Sequence, residues 1–98
     1  MPRPRFYKNT VDNVVRIYRI LQKAHSEGRG HLTVGEIARE ARLHKWTVSR
    51  TLDIWMSPFV EMVIPEELED LGMKLKLVKI GNPNIKEEQV VRGLSVRL

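Results

Sequence analysis

Residues 33–55 read TVGEIAREARLHKWTVSRTLDIW, and this stretch predicts two short helices joined by a three-residue turn. Thr33 and Glu36 have the spacing of a capping box, in which two side chains satisfy free amides at a helix start. We therefore expect the first helix over about 34–41 and the second over about 45–56. The side chains expected to face inward from the first helix are Ile37, Ala38 and Ala41.

The second of these helices has an apolar face and a polar face. Val48, Leu52 and Trp55 recur at i, i+4 and i+7, so they are expected to pack on the core. Side chains near the start of a helix in the major groove reach base edges, and helix N-termini favour phosphate. The residues here that suit such contacts are His44, Lys45, Trp46, Thr47, Ser49 and Arg50.

Two side chains of this helix carry alternative interpretations. Arg50 suits a bidentate contact to guanine, and the alternative is an ion pair with Asp53 three residues later. Trp46 suits a thymine methyl group or a sugar, and the alternative is that it covers a gap between helices. The sequence leaves both questions open.

The chain begins with a basic, proline-containing segment at 1–8. Pro2 and Pro4 disfavour a helix there, so we expect an arm rather than a folded element. Arg3 and Arg5 are candidates for the minor groove of A·T-rich DNA, which short arginine-rich arms enter. Disorder of this arm is the alternative.

A single folded domain is expected over residues 9–98, beginning with a helix at about 10–26. Its apolar residues follow the helical spacing, and Ile17 and Ile20 widen the apolar stripe. This extra apolar surface either packs under the sheet expected in the C-terminal part of the chain or forms a contact between two copies.

Residues 57–72 are expected to form a helical insertion. The Ser57–Pro58 pair has the form of an N-cap followed by a proline in the first turn, and Pro65 repeats this device. A strand is the competing interpretation for VEMVI at 60–64.

The remaining residues predict a small sheet. Residues 73–80 alternate and predict a strand, and GNPN at 81–84 predicts a turn. Residues 85–92 fit either a short helix capped by Asn84 or a strand. Alternation in LSVRL, at 94–98, predicts a closing strand.

Lysines on the 73–80 strand form a second candidate contact with a polyanion. Lys74 and Lys76 share one face of the strand, and Lys79 lies further along it. On one face, such lysines can follow a phosphate backbone. The alternative is that they protect a sheet edge against aggregation.

Composition excludes several classes of protein. The sequence has no cysteine, so disulfides and thiolate metal sites are ruled out, and its three histidines lack metal-ligand spacing. We expect no catalysis, no cofactor, no metal and no membrane association. The net charge is +5, with basic regions at 1–60 and 72–98 that flank an acidic segment at 61–71. This pattern favours nucleic acid as a partner and a cytoplasmic, chromosome-associated location.

The stretch 33–55 resembles the helix-turn-helix of winged-helix DNA-binding proteins. The resemblance to the whole fold covers about residues 10–98, with a general likeness to small archaeal members. The resemblance rests on EIA in the first helix, Ala38 at the helix crossing, Leu43 in the turn and TVSRTL in the second helix. Arg42 departs from the pattern, because the family usually has a glycine with positive φ there. The stretch from Leu52 to Gly72 is also longer than the family's usual connection.

The resemblance implies a winged helix-turn-helix of the α+β class, mainly α. It would have three core helices, the helical insertion and a two- to three-stranded β-wing. We expect a double-stranded DNA-binding protein, acting as a transcriptional regulator or chromatin-associated factor, with the third helix in the major groove and the basic wing on the backbone. The alternative is a protein–protein interaction module, dimeric or bound to another protein through the acidic, apolar segment 57–72.

Overall fold

A computed structural model describes residues 3–66, 71 and 76–97, with only the backbone described at 3–8 and 95–97. The fold is α+β and mainly helical, with a three-stranded antiparallel sheet of order β1–β3–β2. In chain order the elements are α1 (Arg3–Ser26), β1 (Leu32–Thr33), α2 (Val34–Ala41), α3 (Lys45–Thr51), a π-helical segment (Leu52–Met56), β2 (Val60–Val63), β3 (Leu77–Ile80) and α4 (Glu87–Arg97).

The predicted capping box fixes the start of α2. The Glu36 amide donates to Thr33 Oγ1 at 3.0 Å, and the Thr33 amide donates to Glu36 Oε1 at 2.9 Å. Two amides that a helix start leaves unpaired are thereby satisfied. The predicted bounds of α2 are confirmed, as is the burial of its three inward residues, Ile37, Ala38 and Ala41.

Arg42 ends α2 in the left-handed conformation, with φ 58° and ψ 46°. The amide of Leu43 donates to the carbonyl of Ala38 at 3.0 Å, which closes the helix end. Leu43 packs against the core, as expected for the turn. An arginine therefore adopts the conformation for which glycine is better suited.

We expect Arg42→Gly to raise the free energy of unfolding by about 0.5–1 kcal/mol. A side chain in the left-handed region costs about 1–2 kcal/mol, and the greater freedom of glycine in the unfolded chain offsets part of the gain. Urea denaturation measures the difference. Arg39→Gly is the matched control on exposed α2, where glycine should cost about 1 kcal/mol. Equal destabilisation by both variants would show that the Arg42 side chain itself stabilises the turn.

The predicted helix at 45–56 is present but changes its geometry within its length. It is α-helical to Thr51 and π-helical over Leu52–Met56. The Thr51 hydroxyl donates to the carbonyl of Thr47 at 2.7 Å, a bond that often bends helices. The predicted packing face is confirmed, because Val48 and Leu52 are fully buried and Trp55 packs against the core.

The expectation that prolines keep 1–8 out of a helix is wrong, because α1 begins at Arg3. Pro4 lies in the first turn, where the amides have no partner within the helix, so its missing N–H costs little. The side chains of Arg3 and Arg5 are outside the described part of the structure.

The extra apolar surface of α1 is used inside the fold. Ile17 is fully buried, and Ile20 packs against the core. α1 contacts both β3 and α4, and the Tyr18 hydroxyl donates to the carbonyl of Ile85. Of the two interpretations of this surface, packing within the fold is therefore confirmed for Ile17.

The helical insertion predicted at 57–72 is wrong at its centre, where β2 forms instead. Val60 pairs with Ile80 and Met62 with Val78, and the side chains of Val60 and Met62 lie on the core face of a hairpin. Valine favours such a half-buried strand. The helix predicted from Pro65 to Gly72 falls largely on residues 67–70 and 72, which lie outside the described part of the chain, as do residues 73–75 of the predicted strand.

The closing strand predicted at 94–98 is also wrong, because α4 continues to Arg97. Val90 and Leu94 are four residues apart and both buried, which places one face of α4 on the core. β2 already occupies the place beside β3 that the closing strand would need. Of the two interpretations of 85–92, the helix is therefore correct, and it begins at Glu87. Its start is capped by Gln89 and not by the predicted Asn84, because the Gln89 side-chain oxygen accepts from the Lys86 amide at 2.8 Å.

Candidate nucleic-acid interface

The outward side of α3 presents cationic, aromatic and hydroxyl groups together, and we call this the α3 face: Lys45, Trp46, Ser49 and Arg50. Lys45 and Arg50 are exposed and Ser49 is half-buried. Trp46 is 70% exposed, so the alternative that it covers a gap between helices is wrong. An indole this exposed, on a helix whose other face is anchored in the core, is available to a partner.

Arg50 and Trp46 are coupled one helical turn apart. The guanidinium carbon of Arg50 lies 5.1 Å from the centre of the Trp46 ring, a cation–π distance. The predicted alternative, a pair between Arg50 and Asp53, is wrong, since Asp53 binds Lys76 instead. The indole thus orients the guanidinium without neutralising its charge.

The link between Asp53 and Lys76 joins the π-helical segment after α3 to the β2–β3 hairpin. Lys76 Nζ lies 3.0 and 3.2 Å from the two carboxylate oxygens of Asp53. Lys79 pairs with Glu61, its direct partner across the hairpin, at 3.2 Å. Both predicted lysine contacts therefore carry an internal counter-charge, and Lys74 lies outside the described residues.

The remaining predicted residues lie at the start of α3. His44 is exposed and precedes the helix in extended conformation, without a side-chain capping bond. An added Cβ at Gly35 would lie 3.3 Å from Lys45 Cε, so the lysine stem passes over the bare backbone of α2. Thr47 is half-buried and turned toward α1.

A groove of about 560 Å³ brings α2, α3 and the hairpin together. Lys45, Trp46 and Ser49 line it from α3, and Lys76 lines it from the hairpin. α2 contributes Arg39, which the sequence analysis did not single out because an exposed helical arginine has no distinguishing pattern. The third helix and the hairpin thus border one continuous concave surface.

A second groove, of about 250 Å³, lies between α1 and α3 on the other side of Trp46. Asn9 and Asn13 of α1 line it opposite Thr47 and Arg50 of α3. Neither asparagine was predicted from the sequence, although their four-residue spacing places them on one face of α1.

Four cations elsewhere in the described chain are paired with acids: Arg19, Arg29, Lys76 and Lys79. Glu40 binds Arg29 through both oxygens, and this bonding lowers the pKa of the Glu40 carboxyl. Arg19 is likewise bound to Glu87. Within the described residues no acid pairs with Lys45 or Arg50, so their charges remain available to an external anion.

The described part of the chain contains neither a membrane-spanning helix nor a cluster of metal ligands, and the comparisons with known proteins identify no family. None of the described helices is both long and apolar enough to cross a membrane. No group of three His, Asp or Glu side chains in that part could hold a metal ion. The sequence matches no protein-family model, no curated protein and no solved structure.

Proposed function

We propose that the protein binds double-stranded DNA through the α3 face, as a winged-helix protein whose wing is the β2–β3 hairpin. The observation that carries this proposal is the α3 face itself, where Lys45, Trp46 and Arg50 are exposed and no described acid pairs with either cation. The B-DNA major groove is about 12 Å wide and admits a helix of this kind.

Each side chain of the α3 face has a role in this proposal. Arg50, oriented by Trp46, contacts a guanine edge, while Lys45 and Ser49 contact phosphates near the start of the helix. Trp46 packs on a thymine methyl group or a sugar. Because Lys76 borders the same groove as Lys45, the hairpin follows the backbone beside the recognition helix. Association with the chromosome and regulation of transcription follow as the proposed role.

Fluorescence anisotropy with a labelled duplex of about 30 base pairs tests the proposal. We expect binding at micromolar protein in about 50 mM salt, with log K falling linearly as log salt rises. Duplex RNA and single-stranded DNA are the comparison ligands. Absence of duplex DNA binding, or equal affinity for all three ligands, would overturn the proposal.

We expect Asp53→Asn to tighten duplex binding by about threefold to fivefold, since an exposed ion pair holds Lys76 by up to about 1 kcal/mol. Freeing one cation should also steepen the salt dependence by about 0.9 in log–log slope. Glu88→Gln makes the same charge change on an exposed position of α4 and is the control. If the two variants behave alike, the effect comes from net charge and not from Lys76.

A second candidate function is protein binding through the hairpin. β2 forms an edge of the sheet, and Val63 and Ile64 at its end are 46% and 39% exposed. Leu71, in the connection to β3, is 74% exposed. Exposed strand edges with apolar ends are templates for pairing with another chain. Light scattering over a range of protein concentrations tests for a homodimer. A molar mass that stays at the monomer value at every concentration would exclude it.

A further inference from the structure

We infer that the α1–α3 groove is a second backbone site, which takes a phosphate of bound DNA on the side of α3 away from the hairpin. This inference rests on the proposed function. It assigns a role to α1 that the sequence did not indicate, and it names Asn9, Asn13 and Thr47 as the groups that bind.

The groove has the chemistry of a phosphate contact. Its walls carry two carboxamides, from Asn9 and Asn13, the hydroxyl of Thr47 and the guanidinium of Arg50. Amide, hydroxyl and guanidinium side chains are among the groups that contact phosphate oxygens in protein–DNA complexes. None of the described residues that line this groove is acidic, whereas Glu36 lines the groove on the hairpin side.

The groove is also held in shape by the fold. Its floor contains Thr10 and Thr51, each 6% exposed, so the two helices meet closely beneath it. The hydroxyl of Thr51 is committed to the carbonyl of Thr47, at 2.7 Å. Asn9 is exposed and Asn13 half-exposed above this floor, which leaves their amides at the surface where a phosphate would approach.

The groove lies beside the α3 face, on the side away from the hairpin. Trp46 and Arg50 border it on one side and face the outer surface on the other. A helix lying in the major groove has a phosphate backbone on each side of it. The hairpin accounts for one backbone, and the α1–α3 groove lies where the other would pass.

The decisive variant is the double substitution Asn9→Ala/Asn13→Ala, assayed by anisotropy on duplexes of several unrelated sequences. Loss of neutral donors to phosphate should weaken binding by about tenfold on every sequence. The salt slope should stay unchanged, because neutral amides release no counterions. Asn84→Ala, on the exposed connection between β3 and α4, is the control and should have no effect. Thermal unfolding checks that the double variant is folded.

A gain-of-contact variant tests the same site from the other direction. Asn13→Lys should tighten binding and steepen the log–log salt slope by about 0.9, and Asn84→Lys should change both by much less. If wild-type protein binds duplex DNA but neither Asn9→Ala/Asn13→Ala nor Asn13→Lys differs from its control, the second backbone site is overturned while the proposed function stands. A loss confined to one sequence would also overturn it, by indicating base contact. If the wild-type protein binds no duplex, both proposals fail.

Discussion

Replacement of Arg50 by alanine is expected to weaken binding to a preferred DNA sequence by roughly 10- to 100-fold, because a bidentate arginine–guanine contact is worth about 1–3 kcal/mol of discrimination. Binding to unrelated duplexes should fall much less. The variant thus loses preference as well as affinity. Stacking on Trp46 contributes to this effect by holding the guanidinium in place at 5.1 Å from the ring.

Two further variants test whether Arg50 acts through the shape of its guanidinium or only through its charge. Arg50→Lys keeps the charge but lacks the planar fork, so it should retain general duplex affinity and lose sequence preference. Lys45→Ala removes a phosphate contact and should weaken all duplexes alike, with a shallower salt slope. A uniform loss for Arg50→Ala, matching that of Lys45→Ala, would show that Arg50 does not read bases.

The elements that could be predicted from the sequence are those with specific local chemistry. The capping box at Thr33 and Glu36 fixed the start of α2, and the left-handed turn at Arg42 followed from the resemblance. The apolar spacing of Val48 and Leu52 identified the buried face of α3. In each case a few neighbouring residues determine the structure.

In the C-terminal half, the strand predicted at 73–80 is present at Leu77–Ile80, but two other stretches could not be predicted because their local patterns fit two structures equally well. LSVRL alternates like a strand, yet Leu94 also lies four residues after Val90, and burial against α1 selects the helix. Similarly, Val60–Val63 of VEMVI form a strand because they pair with β3, which lies much later in the sequence. Within the acidic segment, residues 61–63 therefore belong to β2 and not to a helix.

The candidate site also has parts that could be predicted from the sequence and parts that could not. The helical spacing of α3 indicated which side chains would point outward, and Trp46 and Arg50 do so. The pairing of Lys76 with Asp53 could not be predicted, because it joins residues 23 positions apart through the hairpin. The α1–α3 groove depends on how two helices cross, which no local pattern specifies.

Leu52→Ala is expected to lower the free energy of unfolding by about 2–5 kcal/mol, the range for removing a buried leucine side chain. Leu52 is fully buried at the junction of α3 with the π-helical segment. For a domain of this size each 1 kcal/mol shifts the melting temperature by about 4–8 °C, so thermal unfolding should show a fall of more than about 8 °C.

Ile54→Ala is the matched control, because Ile54 lies in the same π-helical segment but is 43% exposed. Ile54→Ala should lower the free energy of unfolding by well under half as much as Leu52→Ala, since substitutions at exposed positions change stability little. Equal losses for the two variants would mean that the segment presents a different side to the core. The α3 face would then be rotated as well, because the π-helical segment continues α3 directly and its buried residues fix which side of α3 points outward. The stability measurement therefore tests the orientation on which the proposed DNA contact depends, independently of any binding assay.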